Sequence, residues 1–503
     1  MRSIWGISAT MLLLNALSLS AKADNQPISP PISADGPEKP MAEQDPELER
    51  FENRPRRSLS AWASTRRDEL ADTAAWDLRQ DITLHKMLDL PAWASLTVEE
   101  RVRFEDYNTP WIKDTTQGQY SFPIQSVVWG EIRPSDTFRF GAEFWDARQY
   151  GSSDPNSLTN GMVNAGNFSQ IYTAWINRDL FDVPVDAETK LGQMIISLGS
   201  SRIVGRYAFR NDQQSFVGLQ QRFREKSGDW ELTLFATTPE KLLPNTKEGL
   251  LHNNVVWNRP ETNSIFTGGF FTRRLPEHHH SELYLYYLSE PTLQPASRVL
   301  FTPGIRFFRE PTQGTWDYEL ETVGQTGTRS LVNNAVPSAV GALMVHGQMG
   351  YSFDAPWKPR LVAQWDFASS HFDPLYGLTV FEFGPTGILG LFARTNIMSP
   401  GVRMVFEPGQ DFFMFVCHRN WWLADPASTS GWVSAKLSDP SGQSGKYVGE
   451  TVELSARWDA HFNFSFQAGY QVLMKGAFAE QAPGAPLDHS NVNYVYVQSE
   501  FRL

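Results

Sequence analysis

One cysteine, Cys417, is all that this chain of 503 residues contains, so an internal disulfide is excluded. Cys417 reads as a small hydrophobe in a packed wall rather than as a nucleophile. Long apolar runs are equally scarce. Past the first residues, no window approaches the ~18 consecutive apolar residues that a transmembrane helix requires. Basic runs are missing too, and the formal net charge is -12, which argues against nucleic acid as a partner. No catalytic set can be assembled. The stretch from Pro440 to Lys446, PSGQSGK, has Pro440 where a phosphate loop needs glycine, and no strand-to-helix context follows. Ser444 has Lys446 where a nucleophile elbow places its second glycine. His278, His279 and His280 are adjacent, with no nearby carboxylate or cysteine ligand set, and read as a flexible loop rather than a metal site. No cofactor and no enzyme activity are expected.

Several segments are present in their place. Arg2, an apolar core from Ile4 to about Leu19 and the small-x-small site Ala21-Lys22-Ala23 read as a secretory signal peptide over 1–23. Residues 24–58 are rich in Pro, Glu and Asp and almost free of aromatics, the composition of a disordered periplasmic arm. Residues 59–92 carry helical spacing through Leu70, Ala74, Trp76, Leu78, Ile82 and Leu84 and break at Pro91, giving a periplasmic helix or a plug.

Residues 93–503 change period. From about Ala94, runs of roughly ten residues alternate apolar with polar between turn-forming clusters, the dyad of a transmembrane β-strand. Aromatics make up 13% of the chain, with 17 Trp and 33 Phe, while mean hydropathy is only -0.37. In Thr451–Trp458, Val452, Leu454, Ala456 and Trp458 take one face and Glu453, Ser455 and Arg457 the other. Phe462–Tyr470 repeats the pattern across a short turn at Asp459-Ala460-His461. Other runs include Arg101–Tyr107, Thr137–Gln149, Lys190–Leu198, Leu283–Ser289, Arg360–Phe367 and Asn491–Leu503. The last ends on Leu503, expected to face lipid. The fold class is all-β, a transmembrane antiparallel barrel of about 18 strands.

If apolar faces meet lipid, charges must face inward, since Arg or Lys at mid-bilayer costs roughly 2–4 kcal/mol. Arg103, Arg139, Arg403 and Arg457 are then lumen residues, with Glu105, Glu143 and Glu453 as partners. Arg202, Arg206, Arg210, Arg222, Arg224, Arg306, Arg309, Arg394 and Arg419 are further basic candidates. Such a wall either binds an anionic polymer through bidentate guanidinium pairs or is paired within itself and solvates the pore. Trp421, Trp422, Trp357, Trp365, Trp458, Tyr284, Tyr286 and Tyr287 read as interfacial girdle rather than as sugar platforms.

The stretch His371–Gly401 breaks the alternation. Gly or Pro at Pro374, Gly377, Gly384, Pro385, Gly387, Gly390 and Pro400 forbids one continuous element. Yet Phe372, Leu375, Tyr376, Ile388, Leu389, Leu391 and Phe392 supply enough apolar surface that the loop must pack on something. Its order, FDPLYG at 372–377, FGPTG at 383–387, Arg394-Thr395-Asn396-Ile397 and Ser399-Pro400-Gly401, resembles the alginate export family. The likeness continues through Trp421-Trp422-Leu423-Ala424 and Asp439–Gly445.

The resemblance implies an 18-stranded outer-membrane barrel of a Gram-negative bacterium that passes an anionic exopolysaccharide through a narrow electropositive lumen. It implies that His371–Gly401 folds inward or caps the pore, with Phe372, Asp373, Pro374, Gly384, Pro385, Gly387 and Asn396 in the gate. Arg394 becomes the motif-matched basic residue. The partners implied are outer-membrane lipid, the polysaccharide and periplasmic export proteins, with a monomer as the assembly. A porin for small solutes is the alternative, and a barrel hydrolase the remote one.

Overall fold

The computed structural model describes residues 84–503 apart from 155–156, 208, 292–296, 331–336, 379–388, 410 and 462. The expected signal peptide at 1–23, the arm at 24–58 and most of the helical segment at 59–92 lie outside the described residues. Of that segment one helical turn is described, α1 over Leu84–Met87.

Alternation then takes over. The first strands are β1 Ala94–Tyr107, β2 Gln119–Ser135, β3 Phe138–Tyr150, β4 Asn164–Asn177, β5 Val185–Met194 and β6 Phe216–Glu225. They continue with β7 Trp230–Lys241, β8 Ile265–Leu275, β9 His279–Glu290, β10 Ser297–Arg309, β11 Trp316–Ser330 and β12 Ser338–Ser352. The last are β13 Arg360–Ala368, β14 Ile397–Phe406, β15 Phe412–Trp422, β16 Tyr447–His461, β17 Phe464–Lys475 and β18 Val492–Arg502. Each pairs antiparallel with the next, and β18 pairs with β1 from Arg502 opposite Glu99 to Tyr494 opposite Tyr107. The result is a closed barrel of 18 strands. A two-residue strand, Arg259–Pro260, pairs only with the end of β7.

Side-chain parity decides which face is which. On β9, Leu283 and Leu285 are 58% and 52% exposed, while Glu282, Tyr284, Tyr286 and Leu288 are buried. The exposed set is apolar and the buried set carries the charge, the inverse of a water-soluble sheet and the pattern of a barrel wall in lipid. Connections at one end are short, as at 136–137, 226–229, 276–278 and 462–463. At the other they are long, as at 195–215, 242–264, 369–396 and 423–446. Short turns mark the periplasmic end of such barrels. The main apolar cluster sits inside, where Met194, Ile196, Phe216, Phe266, Tyr286 and Trp421 from the wall meet Ile203, Phe372, Tyr376 and Phe392 from loops.

Several sequence expectations shift. The run expected at Lys190–Leu198 is strand only over Val185–Met194; Ile195 and Ile196 continue the apolar pattern but turn inward as buried loop residues. The turn expected at Asp459–His461 lies at 462–463, because the β16–β17 ladder extends to His461 opposite Phe464. Leu503 is buried rather than lipid-exposed, and its backbone exchanges two 2.9 Å hydrogen bonds with Val98. The histidine run is no loose loop. Only His278 lies in the turn, while His279 and His280 begin β9, and His280 stacks on Phe308 at 4.6 Å between centroids.

Candidate functional site

The connection 195–215, between β5 and β6, is built to cross the barrel. Ile195, Ile196, Ile203 and Val204 bury on the inner wall, and polar groups on either side tie the loop to strands that are nearly opposite in the ring. On β11, Glu321 accepts from Ser200 Oγ at 2.7 Å and from Arg202 Nη1 at 2.6 Å, and Glu319 also binds Arg202. On β3, both oxygens of Glu143 accept from Arg206 Nη2 at 2.7 and 2.8 Å. On β1, Arg103 Nη1 donates to the Phe209 carbonyl at 2.7 Å and Arg101 Nη2 to the Arg210 carbonyl at 2.8 Å. Asn211 donates to the carbonyls of Ile124, Arg148 and Met162. Charge-assisted bonds of this kind are the stronger class, so the chord is pinned at both ends.

A second connection, described over 369–378 and 389–396, also turns inward and meets the first. Tyr376 donates its amide to the Ile203 carbonyl at 3.0 Å, and Leu378 donates to that of Ser201 at 3.1 Å. Gly377 permits the approach: a Cβ there would collide with the Arg202 carbonyl. Asp373 accepts from Arg298 at 3.0 Å, and its backbone exchanges two bonds with the Gln325 side chain at 2.9 and 3.0 Å. Further on, Phe392 stacks on Trp421 with centroids 3.8 Å apart, and Trp432 of the connection 423–446 donates to the Leu391 carbonyl at 2.6 Å. Asn396, at φ 56°, donates to the carbonyls of Asp425 and Gly431 at 3.0 and 3.1 Å and so joins 369–396 to 423–446. Phe372, Asp373 and Asn396 are therefore buried, inward and load the same junction; Pro374 is half-buried beside them. Gly384, Pro385 and Gly387 lie outside the described residues.

Of the arginines expected at the lumen, Arg103, Arg139 and Arg403 are buried and Arg457 is half-buried, with partners that are only in part those expected. Arg103 meets Glu105 at 2.6 Å as expected, and its guanidinium also lies 3.8 Å from the centre of the Phe209 ring. Arg139 binds Glu188 rather than Glu143, which is taken by Arg206. Arg457 binds Asp459 at 2.8 Å. Arg403 and Glu453 occupy one lateral row on either side of Cys417. Arg394 is buried within its own loop, donating to the Leu378 carbonyl at 2.5 Å.

A belt of charge that the sequence reading did not single out runs sideways across the wall. Glu282, Arg306, Glu321, His346, Asp366 and Ser399 are successive register neighbours on β9 to β14. Arg306 bonds Glu282 at 3.0 Å and Glu319 at 2.8 Å, His346 Nδ1 lies 2.8 Å from Asp366, and Arg419 bonds the other Asp366 oxygen at 2.6 Å. The signal was available: each is a charged or polar residue at an inward position of an alternating run. Parity also corrects part of the girdle. Trp357 and Trp458 are exposed, whereas Trp421, Tyr284 and Tyr286 are buried inside, Tyr284 donating to Glu321 at 2.6 Å. Ser444 donates to Asp439 at 2.8 Å and to the Gln481 carbonyl at 3.3 Å, and Asp439 also accepts from Ser441, which makes this a hydrogen-bonded turn.

A family model described as alginate export matches residues 92–493. The chain belongs to the alginate export family. It is an outer-membrane β-barrel. No curated protein matches it. Among solved structures, this family member shares its fold with OccK8 (OprE) of Pseudomonas aeruginosa, at TM-score 0.53 and 9% identity over 82% of this chain and 98% of that one. The opdK protein of the same organism gives 0.53 at 10% identity over 81% and 98% of the two chains. OprD, also from Pseudomonas aeruginosa, gives 0.50 at 11% over 82% and 94%. The family supports an outer-membrane channel.

Proposed function

We propose that this outer-membrane channel passively exports an acidic, alginate-like polysaccharide, moving the chain past arginines on a lumen wall narrowed by 195–215 and by the described parts of the connection after β13, 369–378 and 389–396. One observation carries the reading. Arg206 Nη1, Arg403 Nε and Arg419 Nη1 are buried on the inner face and have no hydrogen-bond partner among the described residues. An unsatisfied buried donor costs about 1–3 kcal/mol. These atoms expose almost no surface, so a polymer carboxylate relieves that cost only where the guanidinium turns toward the lumen, and a guanidinium suits it better than an ammonium because its donors are planar and paired. Binding that is weak and repeated along the path permits transit.

A second reading, a porin for small solutes, is favoured by the extent of internal pairing. Arg202, Arg306, Arg298, Arg360 and Arg419 all sit against wall or loop carboxylates. The deciding experiment is current through purified protein in a planar bilayer under a salt gradient, with a polyuronate added to one side. Acidic-polymer export predicts anion selectivity and polyuronate block, both weakened by Arg403→Glu. Cation selectivity without block would leave the small-solute porin.

A further inference from the structure

On the outer wall at the short-turn end, a groove of about 340 Å³ is lined by Glu225, Asp229, Trp230, Phe271 and Arg273. Register places its strand residues on the lipid side. Arg273 stands opposite Trp230, Phe271 opposite Leu232, and Leu232 opposite Phe223. These share parity with Leu219 and Leu234, both exposed at 42%. The groove is therefore layered. Phe223, Leu232 and Phe271 lie toward mid-bilayer, Trp230 sits over them with its ring centroid 6.3 Å from that of Phe271, and charges of both signs form the rim.

Those charges are unspent. Among the described residues the Glu225 carboxylate accepts only from the hydroxyl of Ser227 in its own turn, at 2.8 Å. The side chains of Asp229 and Arg273 have no hydrogen-bond or ion-pair partner among the described residues. An interfacial arginine beside a tryptophan is ordinary in a membrane protein. The unpaired Asp229 carboxylate, from the adjoining turn, lines the same groove and would repel a purely anionic headgroup.

We propose that this groove binds a zwitterionic phospholipid whose headgroup carries a primary ammonium, phosphatidylethanolamine being the probe. Arg273 takes the phosphate, a pairing favoured by its fork of donors. Asp229 and Glu225 accept from the ammonium, which has N–H groups to give. One acyl chain lies along Phe223, Leu232 and Phe271. A trimethylated headgroup keeps the charge but has no N–H donor, and a glycerol headgroup has no positive charge, so the site discriminates against both.

The test offers the full-length protein in detergent equal amounts of phosphatidylethanolamine, phosphatidylcholine and phosphatidylglycerol with matched acyl chains, and reads bound lipid by native mass spectrometry. Phosphatidylethanolamine should be retained several-fold over the other two. Asp229→Asn should bring it down to the phosphatidylcholine level, and Arg273→Gln should lower all three, with heat-modifiable migration of the barrel unchanged. Equal retention of the three lipids, preference for phosphatidylglycerol, displacement by millimolar inorganic phosphate, or indifference to Asp229→Asn would each overturn the assignment. If a variant does not fold, the ratio of the three lipids on the unaltered protein decides alone.

Discussion

The phenol of Tyr376 donates to the carboxylate of Glu290 at 2.6 Å, joining a loop that has entered the barrel to the wall it leans on. Both groups are buried, and Arg298 completes the cluster by bonding Glu290 at 2.6 Å and Asp373 at 3.0 Å. The position of 369–378 therefore depends on a few polar contacts as well as on apolar packing.

Removing the phenol tests that dependence. Tyr376→Phe keeps the ring among Phe216 and Phe266 but deletes a hydrogen bond to a charged group, worth about 1.5–3 kcal/mol. Single-channel recordings should show more frequent transitions between conductance levels, with the barrel's resistance to heat unfolding little changed. Recordings identical to those of the unaltered channel would mean that apolar contacts alone hold the segment.

Gly377→Ala should separate the two inward segments without touching any charge. Its methyl would meet the Arg202 carbonyl, backbone that cannot swing aside. We expect a larger mean conductance and faster protease cleavage within 195–215 or 369–396. Gly341, whose added Cβ would meet nothing within 4 Å, is the control position, where alanine should leave both readouts alone.

Arg202→Ala should leave Glu319 and Glu321 without the loop's counter-charge, with Arg306 and Tyr284 still bonded to them. Breaking a buried pair from one side costs about 3–5 kcal/mol. The reversal potential in a salt gradient should move toward cations. Arg224→Ala, at an exposed pair with Glu231, should move it far less, since such pairs contribute about 0–1 kcal/mol.

Asp439 gives a pH prediction outside the membrane span. The hydroxyls of Ser441 and Ser444 and the Ser444 amide donate to it at 2.6 to 2.8 Å. These bonds hold its carboxyl well below the ordinary carboxylate value. A depressed folded value means that its contribution is fully present above the unfolded pKa of ~3.9 and is lost as pH falls through the lower folded value. Hydrogen exchange in 437–446 should be equally protected at pH 7 and pH 5 and should open only well below pH ~4. Asp439→Asn should loosen the same stretch already at pH 7.

Much of the barrel could be read directly because lipid on one side and charge on the other force a period of two. All of the alternating runs we quoted have counterparts among the strands, and Val452, Leu454 and Trp458 face away from Glu453 and Ser455 as expected. Parity was also enough to place Tyr284 and Tyr286 with Glu282 rather than in the girdle, had it been followed along β9. The crossing by 195–215 was not readable in the same way. Ile195 and Ile196 look like more strand, and the loop's inward course is fixed by Glu143, Glu319, Glu321 and Arg103, which local spacing does not connect to it. Likewise the motif at 371–401 marked an inward segment, but not that Arg394 would be consumed by the Leu378 carbonyl.

The seam between β1 and β18 reaches beyond architecture into biogenesis. Among the described residues β18 is the strand that closes the free side of β1, and Arg502 grips Glu99 at 2.7 Å within that seam. A half-made chain therefore carries an open edge, the feature that invites wrong pairing. Closure at such sequence separation is slow to find. The nascent protein must stay shielded until β18 has been made, so loss of that strand would cost the cell the whole cylinder rather than one strand.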